Sequence, residues 1–156
     1  VYGASKLKGE EYVQTLLEKY YIVRISWVFG VNGNNFIKTM RRLGSERDEL
    51  NIINDQVGSP TYTADLAPLL VDMMETDKYG IYHATNEETC SWYEFANEIF
   101  KQSGIEVKTN PITTDQYPTA AKRPMNSRMS KAKLKANGFN LLPTWQEALA
   151  HYLKLI

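Results

Sequence analysis

One cysteine, Cys90, stands in 156 residues. Without a second thiol an intrachain disulfide is excluded, and so is a thiolate metal cluster. A reducing, cytoplasmic setting is the expectation. No apolar run is long enough to cross a bilayer, and no signal-peptide pattern opens the chain. Charge of one sign is also missing: 18 basic side chains face 18 acidic ones. No block of like charge would draw in nucleic acid or an anionic membrane. The two histidines, His83 and His151, are far apart and lack the i, i+4 spacing of a helical zinc site. His83 reads as a structural histidine in a strand, and His151 as a surface residue of the last helix. There is no Gly-x-Ser-x-Gly elbow, so a hydrolase of that kind has no nucleophile. The nine glycines nowhere form the strand-to-helix turn that lets a dinucleotide pyrophosphate approach the backbone. The first residue is Val1 rather than Met, and the expectation is a piece of something longer.

What is present suits a folded α/β protein. Hydrophobic residues make up 43% and charged ones 23%, ordinary values for a globular chain. Val13, Leu16, Leu17 and Tyr20 recur at helical spacing and predict a helix over about 2–20. Tyr21 to Phe29 is β-branched and aromatic, and reads as one buried strand. Gly30 to Asn34 is a turn. Phe36, Ile37, Met40 and Leu43 mark a second helix that Gly44 is expected to end. A short strand at Leu50 to Asn54 leads into a loop from Asp55 to Tyr62. Thr63 is placed as the cap of a third helix, and Gly80 to Ala84 as a strand. Ser91 with Glu94 forms a capping box ahead of Trp92, Phe95, Ile99 and Phe100. A strand surrounds Val107, and Thr113 to Ser127 is a polar loop. Two short helices close the chain, from Ser130 to about Asn137 and from Thr144, whose partner Glu147 makes a second capping box. Strands alternating with helices predict a mostly parallel sheet covered on both faces. Three or four strands are few for a doubly wound fold.

Tyr2 and Lys6 lie four apart on the first helix, so their side chains share one face. An ammonium beside a phenol favours the phenolate, and such a pair can exchange a proton with a carbonyl or hydroxyl. Spacing alone is a weak signal, because two surface residues produce it as well.

The surrounding strings add to it. YGASKLKGE from Tyr2 and RISWVFG at Arg24 to Gly30 resemble the catalytic helix and the next strand of extended short-chain dehydrogenase/reductases. NNFIKTM at Asn34 to Met40 and DQVGSPTYTADLA at Asp55 to Ala67 resemble the branch of that family acting on dTDP-4-keto-6-deoxy sugars. GIYHATNEE from Gly80 and KRPMNSRMSKAKL from Lys122 continue the likeness in order, so it covers nearly the whole chain.

The resemblance implies the C-terminal part of a Rossmann-type doubly wound parallel sheet plus a small substrate-binding lobe, as one unit over 1–156. The glycine-rich cofactor half and a carbonyl-polarising Ser or Thr are expected upstream. It implies that Tyr2 is the catalytic acid/base, and that Lys6 holds the nicotinamide ribose and supports Tyr2. Both would thus be catalytic and cofactor-binding residues. Trp27 is implied to lie against the sugar nucleotide, a task that suits a flat, rigid indole; the plain alternative is a core residue at a strand end. Asn35 is a substrate ligand or simply the cap of the second helix. Arg123 is a diphosphate clamp or a surface arginine. Gln56 and Thr61 edge the substrate cleft without individual roles. The implied cofactor is NADPH or NADH, with hydride passing to the sugar C4 carbonyl. The implied partners are a dTDP-sugar and a second copy in a homodimer. Two alternatives stay open: a non-catalytic regulatory relative, like the methionine adenosyltransferase regulatory subunit, and a nucleotide-sugar epimerase or dehydratase using the same Tyr/Lys pair.

Overall fold

The computed structural model describes residues 1–117, 121 and 123–156. The chain opens with helix α1 (Tyr2–Leu16), followed by strand β1 (Tyr21–Arg24) and a two-residue strand β2 (Val28–Phe29). The run read as one strand is therefore two. The break falls at Trp27, whose φ of 48° is left-handed and cannot continue a pleated strand. Helix α2 (Phe36–Glu46) comes next, then β3 (Glu49–Ile53), β4 (Val57–Gly58) and β5 (Thr61–Tyr62). The stretch expected as a plain loop thus holds two short strands. Helix α3 (Thr63–Met74) begins on Thr63 itself, with Tyr62 at the cap position and no side-chain cap. Strands β6 (Gly80–His83) and β7 (Cys90–Ser91) precede α4 (Trp92–Ser103), β8 (Lys108–Ile112), a 3-10 turn (Thr114–Gln116), α5 (Ala132–Ala136) and α6 (Trp145–Leu153).

Gly44 does not end α2; the helix runs on to Glu46. A Cβ at Gly44 would lie 2.6 Å from the Phe100 ring, so this glycine is a point of close approach between α2 and α4 rather than a stop. Both capping boxes form. Ser91 accepts from the Glu94 amide while the Glu94 carboxylate accepts from the Ser91 amide, and Thr144 and Glu147 repeat the arrangement. Of the polar loop expected over 113–127, residues 118–120 and 122 lie outside the described residues.

Three strand pairs are parallel: β1 with β6, β2 with β5, and β3 with β8. β4 pairs antiparallel with β7. Each parallel pair joins segments separated by at least one helix, as parallel pairing requires. The buried side chains form two clusters. The larger gathers Phe29, Ile37, Tyr62, Phe95, Leu149 and Tyr152 between α2, α4 and α6. The smaller sets Leu66, Leu69 and Met73 of α3 against Tyr82, Leu134 and Phe139. Asn86, fully buried, stands between the two. Its side chain accepts from the Tyr62 amide at 2.8 Å and donates to Asp65 at 2.7 Å and to the Pro143 carbonyl at 3.0 Å. Helix α1 buries none of its residues.

Candidate active site

The Tyr2 and Lys6 side chains meet on one face of α1, with the Lys6 ammonium 5.8 Å from the centre of the Tyr2 ring. Tyr2 is 76% exposed, so the phenol is open to an incoming carbonyl. Two turns further along α1, Glu10 grips Arg24 at the end of β1, accepting from Nε at 2.9 Å and again from Nη2. That hydrogen bond holds the Glu10 carboxyl below its ordinary range, against a smaller opposing effect of burial. The latch ties the helix carrying Tyr2 to the strand that leads into Trp27.

Trp27 stands where three segments converge. Its backbone carbonyl accepts from the Thr61 amide at 3.2 Å. The flanking Ser26 hydroxyl donates to the Ser59 carbonyl at 2.7 Å, and the Thr61 hydroxyl donates to the Ser26 carbonyl at 2.7 Å. Behind the indole lies Gly58, where a Cβ would sit 2.9 Å from the six-membered ring and 2.4 Å from the Ser127 hydroxyl oxygen. The third segment is pinned to the same strand: the Val57 amide donates to the Met125 carbonyl at 2.9 Å, and the Ser127 amide donates to the Val57 carbonyl at 2.8 Å. Arg123 precedes Met125 by two residues and is exposed. No ion pair among the described residues involves it.

A left-handed backbone at a bulky aromatic is strained, and it persists only where the surroundings over-determine it. Here they do. One face of the Trp27 indole stacks on Trp92, with ring centres 3.6 Å apart and planes 13° from parallel. Phe36, the first residue of α2, leans on Trp92 in turn at 4.6 Å.

Asn35 is engaged in the fold. Its carbonyl caps α2 by accepting from the Lys38 amide at 3.0 Å, and its NH2 donates to the Gly30 carbonyl and the Tyr152 hydroxyl. Both amide hydrogens are thereby used, which leaves only an oxygen lone pair for a ligand. Gln56 and Thr61 do edge the Trp27 region. Gln56 is 6% exposed and hydrogen-bonded at both ends. His151 is exposed, as expected of the last helix, and its Nδ1 also meets the buried Tyr62 hydroxyl at 3.2 Å. From the sequence, Trp92 is one more residue of an amphipathic helix and Thr114 is part of a polar loop with no role of its own. The one local signal at Trp92 was its place directly after a capping serine, which says where a helix begins but not what its first side chain stacks on.

Parallel strand pairs with intervening helices make this an α/β chain of the Rossmann type. The chain belongs to the RmlD substrate binding domain family, whose model matches residues 1–156. It is 46% identical to the dTDP-4-dehydrorhamnose reductase of Aggregatibacter actinomycetemcomitans, over 96% of this chain and 55% of that protein. The crystal structure of dTDP-4-dehydrorhamnose reductase from Bacillus anthracis in complex with NADP superposes with a TM-score of 0.96 at 45% identity, covering 99% of this chain and 55% of that one. That of the Clostridium acetobutylicum dTDP-4-dehydrorhamnose reductase gives 0.95 at 45% identity, with the same coverage. The chain therefore spans about 55% of the length of the relatives it matches.

Proposed function

We propose that the chain is the substrate-side half of a reductase that converts dTDP-4-dehydrorhamnose to dTDP-L-rhamnose with NADPH or NADH, in the cytoplasm and as a homodimer. The observation that carries the reading is the pairing, on one chain, of an exposed phenol–ammonium helix with a strained, over-supported tryptophan. Its relatives at 45–46% identity bear the reductase name.

The residues present fit one end of a nicotinamide cofactor. Lys6 offers an ammonium to the ribose hydroxyls beside the Tyr2 phenol, while no glycine-rich turn is available among these residues for the pyrophosphate. The cofactor, when bound, supplies a hydride. Tyr2 then donates its proton to the oxygen of the reduced carbonyl, and Lys6 stabilises the phenolate that remains. Trp27 offers a flat apolar face to the sugar nucleotide, Asn35 its carbonyl and the segment it caps, and Arg123 a guanidinium matched to a diphosphate. Residues 1–156 act as one unit in this scheme, and the glycine turn and the carbonyl-polarising hydroxyl come from the part of the relatives' length not spanned here.

The test is NADPH oxidation with dTDP-4-dehydrorhamnose by a reductase of full relative length carrying these residues. Tyr2→Phe is expected to cut turnover by about two orders of magnitude or more while KM stays within a few-fold, because the phenol acts on the transition state. Turnover within a few-fold of the parent would refute the acid/base role. Product analysis separates reductase from epimerase or dehydratase. The chain by itself is expected to show no micromolar binding of NADPH in calorimetry. Sedimentation of the full-length protein decides the homodimer.

A further inference from the structure

A line of side chains leads away from Trp27 through the buried Gln56 to Thr114 and Asp55, and its hydrogen-bond directions are forced. The Asp55 carboxylate only accepts. It takes the Thr114 amide at 2.9 Å on one oxygen and the Thr114 hydroxyl at 2.6 Å on the other. A hydroxyl has one proton. At 2.6 Å it goes to Asp55 rather than to the Met125 sulfur at 3.7 Å. The Thr114 oxygen is then an acceptor, and it receives the Gln56 NH2 at 3.0 Å. This fixes which way the Gln56 amide points and turns its carbonyl toward Trp92, whose indole N–H can only donate and does so at 3.3 Å. Trp92 in turn stacks on Trp27. Four residues from three places in the sequence, each with its donor and acceptor roles fixed, end on Trp27, which with Glu88 makes up the non-glycine residues of left-handed backbone among those described.

We propose that Trp92, Gln56 and Thr114, anchored on Asp55, are positioning residues that set the tilt of the Trp27 indole and thereby the affinity for the sugar nucleotide. This rests on the reading that Trp27 meets that ligand. Stacking alone leaves an indole free to slide and rotate over its neighbour. A hydrogen bond at the edge of Trp92 removes that freedom, and the pair then moves as one body. Gln56 is the natural lock because it is buried and has both a donor and an acceptor in use. Thr114 also opens the 3-10 turn from which the chain runs on toward Arg123.

The indole pair supplies its own reporter. Two indoles in this contact couple their electronic transitions and give an exciton couplet in circular dichroism that one indole alone does not. Three variants probe the array. Gln56→Met keeps the volume and removes both bonds, Thr114→Val keeps the shape and removes the hydroxyl, and Thr114→Ser restores the hydroxyl. Each is read by the couplet, by thermal melting, and by calorimetric titration with dTDP-glucose. The expected result is loss of at least half the couplet in Gln56→Met and Thr114→Val, with its return in Thr114→Ser. Affinity for dTDP-glucose should fall about fivefold or more where the couplet is lost, the worth of roughly one net hydrogen bond. A couplet of full size in Gln56→Met overturns the proposal. So does a lost couplet with unchanged affinity, provided Trp27→Ala does weaken binding. If Trp27→Ala leaves the affinity untouched, it is the assignment of Trp27 to the ligand that fails, and the couplet still decides whether the array holds the indole. A fall in affinity that tracks the melting temperature across all variants, Thr114→Ser included, identifies a merely structural effect and also overturns the proposal.

Discussion

At the scale of single residues, position 58 is the sharpest test of how tightly the platform is packed. A methyl group there meets the Trp27 ring at 2.9 Å and the Ser127 oxygen at 2.4 Å. The serine can rotate away; the indole, stacked on Trp92, cannot. Gly58→Ala is therefore expected to lower stability by about 1–3 kcal/mol, as overpacking does, and to shift the Trp27 fluorescence. A wild-type spectrum and melting curve would show that the platform yields. Trp27 itself was legible as a candidate from the string around it, but its left-handed backbone was not. That conformation usually announces itself through glycine or asparagine, and here it is imposed on a tryptophan by contacts with segments some 30 to 100 positions away. Trp92 was hidden for the same reason: local pattern places a side chain on a helix face and is silent on which ring it will meet.

At the scale of elements, the helix ends were the most readable part. Ser91 with Glu94 and Thr144 with Glu147 are local chemistry, complete within four residues, and both boxes form as written. The strand from Tyr21 to Phe29 was read too long, because β-propensity does not register a single residue forced out of the pleat. Gly44 was read as a stop because a glycine near a helix end has two uses, and only the partner helix reveals which one applies. The loop from Asp55 to Tyr62 has a pH dependence that follows from its anchor. The Thr114 hydroxyl, and after it the Thr114 amide, hold the Asp55 carboxyl below its usual range. A carboxyl lowered in the folded state stabilises above its unfolded value, about pH 3.9, and that contribution is lost as pH falls through the folded value. The Trp27–Trp92 signal should accordingly be flat from neutrality down to about pH 4 and collapse below it. Asp55→Asn should remove that acid step. An acid limb of the same shape in Asp55→Asn would place the titrating group elsewhere.

At the scale of the whole molecule, alternating strands and helices foretold parallel pairing, but not which strand pairs with which. β1 finds β6 across α2 and α3, and β3 finds β8 across α3 and α4, choices made by packing rather than by either strand's sequence. The two buried clusters that result meet at Asn86, which bonds the β5–α3 corner to the segment before α6. Asn86→Ala strands the buried Tyr62 amide and takes a donor from Asp65 and from the Pro143 carbonyl, which keeps the Glu87 amide. It should cost about 2–4 kcal/mol and, because the node belongs to both clusters, lower one shared melting transition rather than split it; two separated transitions would show that the clusters unfold independently. Helix α1 stands outside this economy. It is fifteen residues long with no buried side chain, near the length at which a helix is marginal in water, and the Glu10–Arg24 latch ties it to the rest. Its amides should exchange with deuterated solvent orders of magnitude faster than those of β1 or α4, and Glu10→Gln should speed them further. Tyr2 would then spend much of its time unwound from Lys6, and its lifetime in the paired state would be set by whatever surface comes to lie along α1. Protection in α1 equal to that in α4 would show the opposite, a proton donor held ready at all times.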